Sequence, residues 1–238
     1  MQTTLSRRFA RGLSFQAAYT IAKTLEAVSL LNPQDFNLFD PLSTPLEQRL
    51  TQYDVPQKFT ILSTYELPFG RGKSYGKSMH PVLNALAGNW QLNGNLTLQR
   101  GFPIDFPNAL PVAARSAKMS KEQRNMFQWF DTSLWKDPAT NRFVPAQAPF
   151  TLRNFATRFP DVRFSDLKNL NLSIFKDFPI RERMRFNLRL EGYNVTNTPW
   201  FSTTAAANLN VTSPTFGQLS LSSNNASRTY SLAGRLIW

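Results

Sequence analysis

At 238 residues the chain has room for one all-β domain or two small ones. The absence of cysteine excludes disulfides, thiolate metal sites and cysteine nucleophiles. A single histidine, His80, leaves nothing from which to build a multi-histidine metal site or a conventional catalytic triad, so no cofactor and no catalytic residue is expected. The net charge of +12 points toward nucleic acid or an anionic membrane surface. Its carriers gather at turns, however (Arg7, Arg8 and Arg11; Arg71, Lys73 and Lys77; Arg181, Arg183 and Arg185), as solvated charge does, and no nucleic-acid partner is expected.

No run of about 18 apolar residues is present, which excludes a transmembrane helix. Residues 1–9 are polar and basic with no apolar core behind them, unlike a secretory signal peptide, which is expected on an upstream part. Residues 1–6 read as the tail of an earlier strand and residues 7–12 as a tight turn. Leu13, Phe15, Ala17, Tyr19 and Ile21 then alternate with Ser14, Gln16, Ala18, Thr20 and Ala22. This two-residue period, sustained for a membrane-spanning length, predicts a strand. The pattern dissolves over about 24–57, as in a long surface loop. It returns with Phe59, Ile61, Ser63, Tyr65 and Leu67, although Leu62 lands on the polar side. Residues 68–73 end that run in a turn, extended by a basic stretch to Gly88. Within it, residues 70–78 (GRGKSYGKS) mimic a phosphate-binding loop, but Arg71 stands where that motif needs its first glycine and no apolar helix pattern follows.

The clearest run sets Trp90, Leu92, Gly94, Leu96 and Leu98 against Gln91, Asn93, Asn95, Thr97 and Gln99. In a soluble core the polar row faces solvent and in a barrel it faces the lumen; periodicity alone does not separate the two. Residues 101–168 form a long insertion rich in proline and aromatics. Ser120 is placed to cap a short helix over residues 121–130, with Asp131 and Thr132 at its exit. Trp129, Phe130 and Trp135, with Phe102, Phe106 and Phe127, can either meet a ligand at a loop mouth or pack the loop onto itself. Leu170, Leu172 and Ile174 resume the alternation, residues 179–183 turn, and Phe186, Leu188, Leu190 and Gly192 then oppose Arg185, Asn187, Arg189, Glu191 and Tyr193. Arg189 and Glu191 on one side predict a lumenal ion pair or hydrogen-bond network. Structural pairing also accounts best for Glu66 and Glu191, which nothing brings together as an acid and base, so no enzyme is expected. Another loop covers about 197–227, with a short strand expected near residues 216–221.

In the last strand Tyr230, Leu232, Gly234, Leu236 and Trp238 share one parity, and Thr229, Ser231, Ala233, Arg235 and Ile237 the other. A chain stopping on its aromatic residue resembles the closing strand of a bacterial outer-membrane β-barrel. Short or basic turns alternate with long loops along the whole chain, the asymmetry of such barrels. The expected fold is therefore all-β, an antiparallel meander of about 7 to 8 amphipathic strands with long loops at one end, a partial barrel occupying 1–238 as one unit. Gln91, Asn93, Asn95, Arg185, Arg189, Glu191 and Arg235 are its lumen-facing candidates. Tyr230, Leu232, Leu236 and Trp238 are its lipid-facing ones. A self-contained barrel or β-sandwich that binds a surface partner remains the alternative.

Six segments in order, residues 54–59 (DVPQKF), 66–73 (ELPFGRGK), 88–103 (GNWQLNGNLTLQRGFP), 127–135 (FQWFDTSLW), 169–178 (NLNLSIFKDF) and 191–201 (EGYNVTNTPWF), resemble the carboxy-terminal barrel of TonB-dependent receptors. The subgroup they resemble is the Oar-like, acidobacterial one with a carboxypeptidase-regulatory-like domain. Gln57 stands where that family's usual pattern has a histidine. The resemblance implies location in the bacterial cell outer membrane, in contact with its lipid, and uptake of a ligand with energy delivered by the TonB complex. It also implies insertion by the barrel-assembly machinery. Such receptors have about 22 strands around a plug, so the chain resembles their last third. An amino-terminal barrel portion and a plug are the implied missing partners, and the piece is not expected to transport alone.

Overall fold

Each alternating run in the sequence is a strand. In chain order the strands are β1 (Gln2–Ala10), β2 (Leu13–Ile21), the short β3 (Leu25–Glu26) and β4 (Arg49–Leu50), β5 (Gln57–Glu66), β6 (Trp90–Gln99), β7 (Leu167–Arg181), β8 (Met184–Tyr193) and β9 (Thr229–Ile237). The computed structural model describes residues 1–26, 48–106, 115–143, 157–181, 184–201, 207–219 and 227–238. Seven strands form one antiparallel sheet in the order β1-β2-β5-β6-β7-β8-β9, while β3 and β4 pair separately. The sheet is a meander, all-β as the periodicity predicts, and β1 and β9 are its two ends, so it is an open sheet rather than a closed barrel. Among the described residues the second sheet is β3 with β4, two residues each, which is not the second layer of a sandwich.

The pairing register carries the sidedness of each strand into the next. Leu13 lies opposite Tyr65, Tyr65 opposite Leu92, Leu92 opposite Ile174, Ile174 opposite Leu190 and Leu190 opposite Leu232. One position along, Ser14, Thr64, Asn93, Ser173, Glu191 and Ser231 form the matching row on the other face. A one-residue slip anywhere would exchange the two faces of that strand. β7 pairs with β6 from Leu167 to Lys176 and with β8 from Leu172 to Arg181. This offset is the stagger that tilts strands in a curving barrel wall.

Several boundaries differ from the sequence reading. β1 runs through Arg7 and Arg8 to Ala10 with an irregularity between Arg7 and Ala10, so the turn is only Arg11 and Gly12. Both have positive φ, 52° and 81°, the twist a two-residue hairpin requires. A Cβ on Gly12 would stand 2.7 Å from the Glu66 carbonyl oxygen. β7 continues past Pro179, whose missing N–H is accommodated beside a register shift. A short helix, α1 (Pro81–Ala87), occupies the basic stretch read as a turn: Pro81 sits at its first position and the His80 Nδ1 accepts from the Val82 amide. The helix expected over residues 121–130 is a pair of turns. The Ser120 carbonyl does accept from the Arg124 amide, but the Asn125 Oδ1 then takes the amides of Phe127 and Gln128. Asp131 begins a helix instead, accepting from the Ser133 amide at the start of a 3₁₀ turn over Thr132–Trp135. Near residues 216–221 the described part makes one isolated bridge, Ala207 with Leu219, in place of a strand; residues 220 and 221 lie outside the described residues.

The hydrophobic core is not in the sheet. It lies among the connections at the long-loop end, where Ile104, Phe106, Phe130, Leu134, Trp135 and Phe216 are buried together. Phe106 stacks on Trp135 at 5.4 Å between ring centroids, and Phe216 meets Phe130 and Trp135 edge-on at 5.4 and 5.3 Å. Backbone bonds lace the loops into one cap: the Phe164 amide donates to the Phe102 carbonyl, the Trp129 amide to Gly217, and the Ser165 amide to Phe201.

Candidate functional site

The polar face of the sheet is concave. Ser6 and Arg8 of β1, Ser14 and Gln16 of β2, Thr64 of β5, Asn93 and Asn95 of β6, Asn171 and Ser173 of β7, and Glu191 and Tyr193 of β8 line a single open trough of about 490 Å³. Leu62, out of place in the sequence pattern, also faces it. The walls offer amides and hydroxyls, with charge at the two rims only, Arg7 and Arg8 at one and Glu191 at the other. Glu191 is engaged on two sides: the Arg189 Nη1 lies 3.3 Å from its Oε1, and the Tyr193 hydroxyl donates to its Oε2 at 3.1 Å. The predicted Arg189–Glu191 ion pair is thus present, and the Arg189 guanidinium also lies 4.3 Å from the centre of the Phe175 ring.

The remaining polar candidates divide by height. Gln91 and Arg185 fall in a second cleft of about 390 Å³ toward the short turns, with Glu66, Lys73, Asp177 and Pro179. There the Lys73 Nζ pairs with Glu66 at 2.7 Å, and the Asn187 amide donates to Asp177 at 2.7 Å. Arg235 lies opposite Asn187 on the same face, at the β9 edge. This lining can hydrogen-bond a polar solute. Among the described residues, no group of three or more His, Asp or Glu side chains is placed to hold a metal ion.

The opposite face is apolar and uncovered. Leu92, Ile174, Leu190 and Leu236 are exposed, and Tyr230, Leu232 and Trp238 more so, at 60, 71 and 86%. Aromatic side chains mark both ends of this face: Tyr19, Phe59 and Tyr230 toward the long loops, and Tyr65, Trp90, Phe178, Phe186 and Trp238 toward the short turns. From Tyr230 to Trp238 the strand covers roughly 27 Å at about 3.4 Å per residue, comparable once tilted with the ~25 Å apolar band of outer-membrane barrels between its aromatic girdles. A soluble protein does not leave such a surface to water.

A family model described as outer membrane beta barrel domain matches residues 1–231. The chain belongs to that family. In barrels of this kind the apolar row of each strand faces lipid and the polar row faces the barrel interior. The chain matches no curated protein and no solved structure.

Of the three aromatic loop candidates, Phe130 and Trp135 are wholly buried in the cap core, so neither presents a ring to a ligand. Trp129 keeps a half-buried ring, with its indole N–H donating to the Arg163 carbonyl and the Arg124 guanidinium 4.4 Å from its centre. Phe130 and Trp135 join Ile104, Leu134 and Val162 of the same insertion in packing the loop, while Phe127 stays exposed.

The sequence reading missed a buried ionic cluster that ties the loops together. Arg163 donates to the Asp54 carboxylate at 2.6 Å and to the carbonyls of Asp54, Gly101 and Pro160. Asp54 accepts in addition from the Thr24 amide. Beside it, Arg158 bridges Glu26 at 2.7 Å and Asp105 at 3.0 Å, and Arg49 reaches Glu26 at 2.8 Å. Asp54 is 1% and Arg163 5% exposed, so each charge depends on its partner. The available signal was Asp54 itself, the first residue of the DVPQKF segment, where an acid precedes a strand it does not join.

Proposed function

We propose that the chain is the carboxy-terminal part of a TonB-dependent outer-membrane receptor that takes up a ligand, and that it does not transport alone. The observation that carries this reading is the pair of open sheet edges, β1 and β9, on a meander that otherwise has the register, sidedness and loop asymmetry of a barrel wall. Backbone groups left unpaired in hydrocarbon cost several kcal/mol each, so further strands have to complete the wall. The six segments in receptor order support one source for those strands, an upstream barrel portion that surrounds a plug. The polar trough is then a sector of the lumen wall, and the cap belongs to the extracellular mouth. The partners on this reading are outer-membrane lipid, the barrel-assembly machinery and the TonB complex. Nucleic acid has no role and no reaction is catalysed.

An immunoblot of fractionated source cells, with antibody raised against the cap, tests the proposal. A heat-modifiable outer-membrane band far above 27.1 kDa is expected, shifting in protease sensitivity when TonB is depleted. A band at 27.1 kDa in the soluble fraction would sink it.

A further inference from the structure

The connection between β5 and β6 has no role in either the trough or the cap. It is 23 residues long, from Leu67 to Asn89, at the end where the other turns have two, and it contains Arg71, Lys73 and Lys77 with no acidic residue. Its helix α1 buries no side chain. At 100° per residue Val82, Leu83 and Leu86 share one stripe, and they are 61, 57 and 65% exposed. Asn84, on the opposite side, accepts from the Arg71 amide at 2.7 Å and so fixes which way that stripe points.

The helix is fastened to the lipid-facing flank. The Trp90 indole N–H donates to the Leu86 carbonyl at 2.9 Å, and the Lys176 ammonium donates to the Gly88 carbonyl while lying over the Trp90 and Phe178 rings. Trp90 and Lys176 face each other on the apolar row. Phe69 and Tyr75, their rings 5.7 Å apart, add exposed aromatic surface beside exposed Arg71 and Lys77.

We infer that α1 and its basic turn form an interfacial anchor that lies in the membrane surface at the short-turn end and binds anionic phospholipid. The apolar stripe continues the lipid-facing row, and Arg71 and Lys77, unlike the Glu66-paired Lys73, are left to complement an anionic headgroup layer. This rests on the membrane reading above, and its test separates the two.

The chain has no native cysteine, so single-cysteine variants can carry an environment-sensitive fluorophore. Leu83→Cys reports the helix, Leu190→Cys the middle of the apolar row and Ala139→Cys the exposed cap. Each is reconstituted in vesicles of phosphatidylcholine alone or mixed with phosphatidylglycerol. The Leu83 label is expected to shift to the blue and to be quenched by lipids brominated near the glycerol backbone, more strongly with phosphatidylglycerol. Lys77→Gln should weaken that preference about fivefold, while the Ala139 label stays in water. A water-like Leu83 signal beside a lipid-like Leu190 signal overturns the anchor and leaves the membrane reading standing. Water-like signals at both positions overturn the membrane reading itself. Equal shifts in both vesicle types overturn the anionic-lipid assignment.

Discussion

The sheet and the cap are built from similar residues and put them to opposite use. Among the described residues, all the buried hydrophobic side chains except Leu50 belong to the cap core, and none comes from the seven strands of the large sheet. In the sheet, Leu190 and Leu232 are 44 and 71% exposed, whereas in the cap Phe130 and Trp135 are fully covered. Burial follows the solvent on each side. The cap sits in water and must hide its rings to gain anything from them. On the proposed reading the sheet meets hydrocarbon, where an exposed leucine is already in its preferred medium. What holds the sheet together is its ladder of backbone bonds; what holds the cap together is packing and a few buried ion pairs.

Two sets of variants press on that contrast, beginning with the largest expected effect. Asp54→Ala leaves the Arg163 guanidinium buried without its carboxylate, and Trp135→Ala opens the centre of the ring cluster. Each is expected to cost the cap about 3–5 kcal/mol, read as faster limited proteolysis of the loops in detergent-folded protein. The sheet should still migrate as a compact, heat-modifiable band; loss of that band would mean that the two regions do not fold separately. Next in size is the pair Leu92→Arg and Asn93→Arg, adjacent residues on opposite faces. The first is expected to cost about 2–4 kcal/mol in denaturant titrations of vesicle-inserted protein. The second should fall well below it, and equal losses would show that the faces are wrongly assigned.

The sheet was legible because a strand announces itself locally. From Trp90 to Gln99 every second residue changes character, and the strand begins and ends where the alternation does. The errors fell where charge or proline imitates a turn. Arg7 and Arg8 extend an edge strand that solvates both of them, and Pro179 sits beside a register shift where the N–H it lacks is not needed. α1 escaped because seven residues carry barely two turns of period and because Pro81, which marks its start, reads equally well as loop punctuation. Of the cap, the sequence showed that the insertion's rings can pack the loop onto itself, as Phe106, Phe130 and Trp135 do, but not which residues they meet. Phe106, Trp135 and Phe216 are far apart in sequence and follow no repeat; only the folded loops bring their rings together. The same holds for Asp54 and Arg163, paired across 109 positions.

Smaller effects sharpen the comparison at single residues. Gly12→Ala should cost the sheet about 1–2 kcal/mol, since a left-handed residue must then place a Cβ against the Glu66 carbonyl. Denaturant titration of the folded sheet measures it, and cap proteolysis should not change. The smallest concerns Asp131. Burial by itself raises the pKa of its carboxyl, but hydrogen bonds from the Ser133 hydroxyl and amide and from the Arg115 guanidinium outweigh it and hold the value below the usual carboxylate range. A carboxylate depressed in the folded state contributes stability that is whole above its unfolded pKa of about 3.9 and is lost as pH falls through the lower folded value. The Arg115 side chain is 54% exposed, so solvent screening limits the pair to about 0.5 kcal/mol. Asp131→Asn keeps the oxygen that caps the 3₁₀ turn and discards only the charge facing Arg115. Its cap should therefore be cut slightly faster than the parent's at neutral pH, and the two rates should converge as pH falls below the usual carboxylate range. A difference that persists in acid would move the contribution of Asp131 from its charge to its role as a cap.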